Sequence, residues 1–394
     1  MKPTRDTLRL FAIFLVVFWL VGSLGPATAA DSTSPAQPVP PNEQLEALVG
    51  AIKRVGPHGQ GHAQAAQAWQ QLARADAAQL PALLAGFDGA GPLAVNWLRA
   101  AVETIAERHL CAGGKLPAAE LEKFVRQREH SPAARRLAYE LLCSADTSAP
   151  ERLLPTMLDD PSLELRRDAV ALAVRQAEAH QKADQTDKAL AGYRKAFSAA
   201  RDLDQITDLA ERLARLGHQV DVRGHLGLIV QWKLIGPFDN TGGRGFDAVY
   251  PPEQQIDLAA SYDGKNGKVR WIDYQSKDQL GKVDLNDALG EQKAVVAYAY
   301  ADFYTAQQQQ VQFRLTSFNA VKLWVNGELV DRRDVYHSGA EWDQYISTAT
   351  LRQGRNQILV KVGQNEQTQS WARHWWFQLR VCDATGAGLT SQRP

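Results

Sequence analysis

The chain has 394 residues, with 44 basic and 44 acidic side chains and no formal net charge. A protein that grips nucleic acid by neutralising phosphates carries a basic excess, so that class of function is not expected. With 22% charged and 45% hydrophobic residues the composition is that of a folded globular protein, and the length suggests about two domains.

At the start of the chain, Lys2, Arg5 and Arg9 precede an almost wholly apolar run from Leu10 to Leu24, and Ala27-Thr28-Ala29 offers a small-x-small cleavage site. Residues 1–29 therefore read as an export signal peptide. The run is shorter than the roughly 20 residues that span a bilayer, and no Cys follows it to accept a lipid. An uncleaved anchor is the alternative. The processed chain is expected to be mildly acidic, periplasmic or at the cell surface, and not inserted in a membrane. Residues 30–42, rich in Ser and Pro, read as a disordered leader.

Residues 43–225 are rich in Ala and Leu and follow a 3.6-residue period. Leu93, Trp97, Leu98, Ala101, Val102, Ile105 and Ala106 recur at three- and four-residue spacing after Pro92, which suits a first helical turn. Further helices are expected from Pro117, Pro132 and Ser162, and over Lys188 to Ala200 and Asp204 to Leu216. Cys111 and Cys143 close two of these helices and could be bridged, provided their Cα atoms approach within about 7 Å. Cys382, the third and last cysteine, ends an apolar strand and is expected to be a buried thiol.

From residue 226 the period becomes two. Seven of the ten tryptophans lie from Trp232 onward. Val311, Phe313 and Leu315, then Val321, Leu323 and Val325, then Ile358, Val360 and Val362 alternate with other residues. Asn326-Gly327 supplies the left-handed backbone of a type I′ hairpin turn. Residues 226–394 are therefore expected to form an all-β antiparallel sandwich, joined to the helices without a flexible linker.

Two resemblances sharpen these expectations. LDDPSLELRRDAVALAV (Leu158 to Val174) and SPAARRLAYELL (Ser131 to Leu142) resemble HEAT repeats, and Ala189 to Gly217 resembles a tetratricopeptide-type helix pair. VKLWVNGELV (Val321 to Val330), STATLRQGRNQILVKVGQ (Ser347 to Gln364) and WWFQLRVCDATGAGL (Trp375 to Leu389) resemble the galactose-binding-like jelly rolls found beside glycoside hydrolases, including the sugar-binding domain of family 2. WKLIGPFDN (Trp232 to Asn240) adds a similarity to exported bacterial proteins, notably of planctomycetes. The fold class these imply is multidomain α + β: a HEAT/TPR-like helical repeat domain, then a jelly-roll sandwich.

The chemistry-bearing groups point to binding more than to catalysis. His58 and His62 have metal-ligand spacing but lie in a Gly-rich stretch without a third ligand. DNTGGRGFD (Asp239 to Asp247) lacks the Lys-Ser/Thr of a phosphate loop, and no G-x-S-x-G elbow occurs. Asp239, Asp247, Asp257 and Asp263 could hold a structural calcium or simply form turns. The aromatics are the more informative group. Trp342, Asp343, Trp371 and Arg373 sit in polar loops, while Trp324 and Trp376 fall on the strand faces opposite the core. Rings stacked on sugars with a nearby acid or arginine fixing hydroxyls would use such residues. The alternative is that these tryptophans pack against the helical domain or cover the sheet. The expected function is an exported, non-catalytic binding protein, the sandwich engaging carbohydrate and the helices a protein partner. The alternatives are a scaffold making only protein contacts and, third, a glycoside-active enzyme.

Overall fold

The computed structural model describes residues 42–392. Residues 1–29, expected to be a signal peptide, and nearly all of the expected leader lie outside the described residues, and no described helix is long and apolar enough to cross a membrane. Residues 42–226 hold the α-helices Asn42–Lys53, His62–Leu72, Leu80–Ala85, Pro92–Cys111, Ala118–Arg126, Pro132–Ala145, Ala149–Leu153, Leu163–Lys182, Thr186–Ala199, Leu203–Arg215 and Val222–Leu226. Pro92 and Pro132 open their helices, where the missing N–H costs nothing. Leu98, Ala101, Val102, Ile105 and Ala106 form the buried stripe of Pro92–Cys111, whereas Leu93 faces solvent.

Loop aspartates tie one helix pair to the next. Asp88 accepts a 2.6 Å bond from the Ser131 N–H and meets His130 Nδ1 at 2.6 Å. Asp160 is buried with Arg135, whose two Nη groups donate to its two oxygens at 2.7 Å each, and it also accepts from the Ser162 N–H. A two-pronged bond of this kind fixes direction as well as distance. On the surface Arg99 meets Glu140 at 3.1 Å, Arg136 meets Asp168, and Arg167 meets Asp204 at 2.8 Å. This Arg-to-acid ladder climbs from helix to helix along the array. Cys111 and Cys143 are both free thiols, exposed and half-buried respectively, so the bridge considered from their spacing is not made.

The second half is built from β1 (Gln231–Asp239), β2 (Ser261–Gly264), β3 (Gly267–Arg270), β4 (Ile272–Gln275), β5 (Val283–Asp284), β6 (Val295–Thr305), β7 (Gln309–Ser317), β8 (Val321–Val325), β9 (Glu328–Arg333), β10 (Tyr345–Leu351), β11 (Gly354–Gln364) and β12 (Trp376–Cys382). They form a six-stranded sheet in the order β4-β1-β6-β11-β8-β9, a four-stranded sheet β10-β7-β12-β5, and the hairpin β2-β3. Every pairing is antiparallel. Side chains of alternate positions, including Val311, Phe313, Leu315, Ile358, Val360, Val362, Trp375, Phe377 and Leu379, share one buried core between the two main sheets. Asn326 (φ 53°) and Gly327 (φ 83°) form the tight turn between β8 and β9.

The outer face of the larger sheet is also covered. Ile235, Phe238, Tyr298, Tyr300 and Leu359 pack there against Tyr250, Ile256, Tyr262 and Trp271, all supplied by the excursion between β1 and β4. Lys361 lies fully buried in this layer, donating to Glu253 at 2.8 Å and to the Ala248 carbonyl at 2.7 Å.

The helices and the sandwich form one compact unit. The last helix of the array ends at Leu226, and the chain then runs antiparallel beside β12, with the Val381 N–H donating to Gly227 O and the Ile229 N–H to Leu379 O. Gly227 has φ 72°, and a Cβ there would fall 2.1 Å from the Val381 carbonyl oxygen, so the closeness of this join requires glycine. Leu226, Leu228, Leu280 and Trp342 share an apolar cluster with Val170, Tyr193, Phe197 and Leu209 of the helices.

Candidate functional site

Five connections meet at one end of the sandwich: those following β1, β7, β9 and β11, and the turn leading into β6. Asn240, directly after β1, donates from Nδ2 to the Tyr336 hydroxyl at 2.9 Å and to the Gln364 carbonyl at 3.1 Å. Asn319, after β7, donates to the Gln364 side-chain oxygen at 3.3 Å and accepts from the Trp376 N–H. Gln364 in turn donates to the carbonyls of Ala372 and His374 at 3.2 Å each. Asn240, Asn319 and Gln364 are fully buried. They act as a polar floor that fixes the loops above, since buried amides hold their positions through the bonds they must satisfy.

Above that floor stands a run of rings. The His337 N–H donates to the Phe318 carbonyl at 2.6 Å, and its Nε2 meets Asn365 Oδ1 at 3.1 Å. Trp371 meets the His337 ring edge-on, with centroids 5.0 Å apart and planes at 87°. Phe318 contacts both His374, at 5.0 Å, and Trp376, at 5.9 Å. Trp371 lies in the short turn Ser370–Arg373 and is 52% exposed. Arg373 is exposed beside it, and among the described residues its guanidinium makes no hydrogen bond or ion pair, while its carbonyl accepts from Asn286. Two buried polar atoms at this end, His337 Nδ1 and Asn240 Oδ1, have no hydrogen-bond partner among the described residues.

The structure separates the six residues singled out by sequence. Trp371 and Arg373 stand together on the rim, and Trp376 lies half-buried at its base with Lys282 Nζ 5.4 Å from its ring centre. Trp324 is packed, half-buried, against the outer layer of the larger sheet. Trp342 and Asp343, expected to face a ligand, are engaged by other parts of the protein. Their loop folds back over the four-stranded sheet, placing Trp342 in the helix-facing cluster beneath the Arg380 guanidinium, 5.1 Å from its ring. Asp343 receives bonds from Arg314 Nη1 at 2.7 Å and from Arg380 Nε and Nη2 at 2.6 and 2.5 Å. Burial works to raise its carboxyl, but these two arginines hold it below the usual aspartate range. The reason is the outward face of β12, where Arg380 is only 2% exposed and needs a counter-charge.

Sequence reasoning did not find Tyr336, His337, Phe318, His374 or the three floor amides. The available signal was positional, since each lies at or within a few residues of a strand terminus, at the end where the loops converge.

The four aspartates considered for calcium take protein partners. Asp239 meets Thr241 and Lys265, Asp247 meets Lys322 and Arg332, Asp257 caps the Ala259 N–H, and Asp263 meets Lys268. Among the described residues no group of three or more His, Cys, Asp or Glu side chains is placed to hold a metal. A separate cleft of about 530 Å³ on the outer face of the larger sheet is lined by Lys233, Asp273, Tyr300 and Asp302, and Trp371 and Arg373 do not line it.

No protein-family model and no curated protein matches the chain. Among solved structures it is similar to a β-glucosidase from Kluyveromyces marxianus in complex with glucose, at 12% identity and TM-score 0.25, over 39% of this chain and 16% of that one. A selenomethionine-labelled β-glucosidase from the same organism matches at 10% identity and TM-score 0.26, over 68% of this chain and 35% of that one. A GH31 α-xylosidase from Xanthomonas citri matches at 14% identity and TM-score 0.17, over 29% and 15%. The chain thus spans well under two thirds of each of these proteins. At such scores the neighbours carry no argument about what this chain does.

Proposed function

We propose that the protein is a non-catalytic binding protein whose sandwich engages carbohydrate at the loop rim, with the helical array available to a protein partner. The observation that carries this reading is Trp371. Of the six candidate residues it supplies the one ring left largely open, and it stands beside an uncommitted Arg373 over a rigid floor of amides. An open indole face pairs with the apolar face of a sugar ring, while a guanidinium donates to hydroxyls; together they combine apolar burial with direction. The acids of the outer-face cleft do not suit acid–base work on a glycosidic bond, because each is held by a cation: Asp273 by Lys233 at 2.5 Å and Asp302 by Arg355 at 2.8 Å.

The scaffold reading draws on a different observation, the packing of the half-buried Trp342 in the seam, which explains the union of the two halves without a ligand. The two readings separate in a retention assay on immobilised polysaccharides. The carbohydrate reading expects retention by the parent and its loss in Trp371→Ala; the scaffold reading expects retention of no glycan.

A further inference from the structure

Most arginines packed into the helical array have an acid beside them. Arg99, Arg135, Arg136, Arg167 and Arg212 each form an ion pair. Arg166 and Arg201 form none among the described residues. Arg166 is only 6% exposed and donates from Nε to the Asp160 carbonyl at 2.8 Å, while its Nη groups have no acceptor among the described residues. Arg201 turns Nη1 onto the carbonyls of Ser198, Ala199 and Ala200, which caps the helix Thr186–Ala199, and leaves its Nε buried without a partner among the described residues. Burial lowers the proton affinity of both guanidinium groups.

Both side chains line the same cleft, of about 560 Å³, where the array meets the turn after β12. Lys195 also lines it, and makes no ion pair among the described residues. The two carboxylates present are committed elsewhere. Asp159 meets Arg128 at 2.7 Å, and Asp383 accepts from the Thr385 N–H, the Thr385 hydroxyl and the Ala387 N–H of its own turn. A desolvated guanidinium with no carboxylate at ion-pair distance, Asp159, Asp160 and Asp383 acting on it only from further away, is costly to keep, and the Nη pair of Arg166 presents a fork that fits an oxyanion at two points. The volume lies within the roughly 300–1,000 Å³ of small-ligand sites.

We propose that this cleft binds an oxyanion, a sulfate, phosphate or carboxylate group, with Arg166 as its principal donor and Arg201 and Lys195 flanking. A ligand there would touch the helical array and the β12 turn together and so brace the seam. The site is separate from the loop rim and does not depend on the carbohydrate reading.

The test is titration calorimetry on the full chain with sodium sulfate, phosphate and glucuronate, at ionic strength held constant with chloride. The expected result is saturable binding of at least one oxyanion at one site per chain, and none of chloride. Arg166→Gln should weaken it at least tenfold. Arg166→Lys, which keeps the charge but loses the fork, should fall between, and Lys195→Gln, at an exposed position that leaves the fold alone, should weaken it several-fold. Should Arg166→Gln fail to fold, the last two variants decide. Glucuronate binding tenfold tighter than the inorganic ions would assign an organic acid as the ligand, and equal binding a free anion. No saturable binding of any oxyanion, or affinities unchanged across the variants, would overturn the proposal.

Discussion

Asp343 shows how a loop acid can be turned from recognition to structure. It compensates two arginines, Arg314 and Arg380, on the outward face of the smaller sheet, and the nearly buried Arg380 also donates to the Leu226 and Gly386 carbonyls. Asp343→Asn leaves those charges uncompensated and should cost about 3–5 kcal/mol, read as a lowered midpoint in chemical unfolding. The pH dependence has a fixed sign. Because the folded carboxyl is held below its unfolded value of about 3.9, the contribution is fully present above that pH and is lost as pH falls through the folded value. In a series from pH 6 downward, the parent should lose stability below about pH 4 more steeply than Asp343→Asn.

At the scale of elements, the larger sheet is the part least readable from alternation. In β6 nearly every position is buried, because the core lies under one face and the tyrosine-rich layer under the other. A period of two reveals which residues share a face but not whether the far face meets water; that depends on the excursion between β1 and β4, whose short strands and turns carry little pattern of their own. For the same reason Trp324 reads as an open ring in sequence and is packed in the fold. The helices were more legible: prolines at helix starts, a 3.6-residue stripe and Asp-Pro turns act locally. The Asn326-Gly327 turn was equally plain, since positive φ at both positions is a residue-level demand. The rim was legible only in part, since Trp371 and Arg373 share one loop while its other members are brought in by strand register. The Lys361–Glu253 pair offers a test of the outer layer. Lys361→Met alone should destabilise by about 3–5 kcal/mol, since it strands a buried carboxylate, and adding Glu253→Leu should restore most of the loss in the same unfolding assay.

The whole molecule is organised by its seam. Helices Leu163–Lys182, Thr186–Ala199 and Leu203–Arg215 share a continuous apolar cluster with Leu228, Leu280 and Trp342 of the second half. The array and the sandwich should therefore unfold in one transition, with the far-ultraviolet helix signal and the tryptophan signal coincident. Two separated transitions would show that the seam does not couple them. The central claim, that glycan affinity resides in the rim and not in the seam, is tested most directly by measuring glycan retention and thermal stability together for Trp371→Ala and Trp342→Ala. The account predicts that Trp371→Ala loses about 2 kcal/mol of binding, roughly thirtyfold in affinity, with its melting temperature almost unchanged. Trp342→Ala should instead melt earlier, by up to about 3–5 kcal/mol of stability, and retain the glycan under conditions where it is folded. Retention that survives in Trp371→Ala, or a parent protein that retains no glycan, would contradict the account.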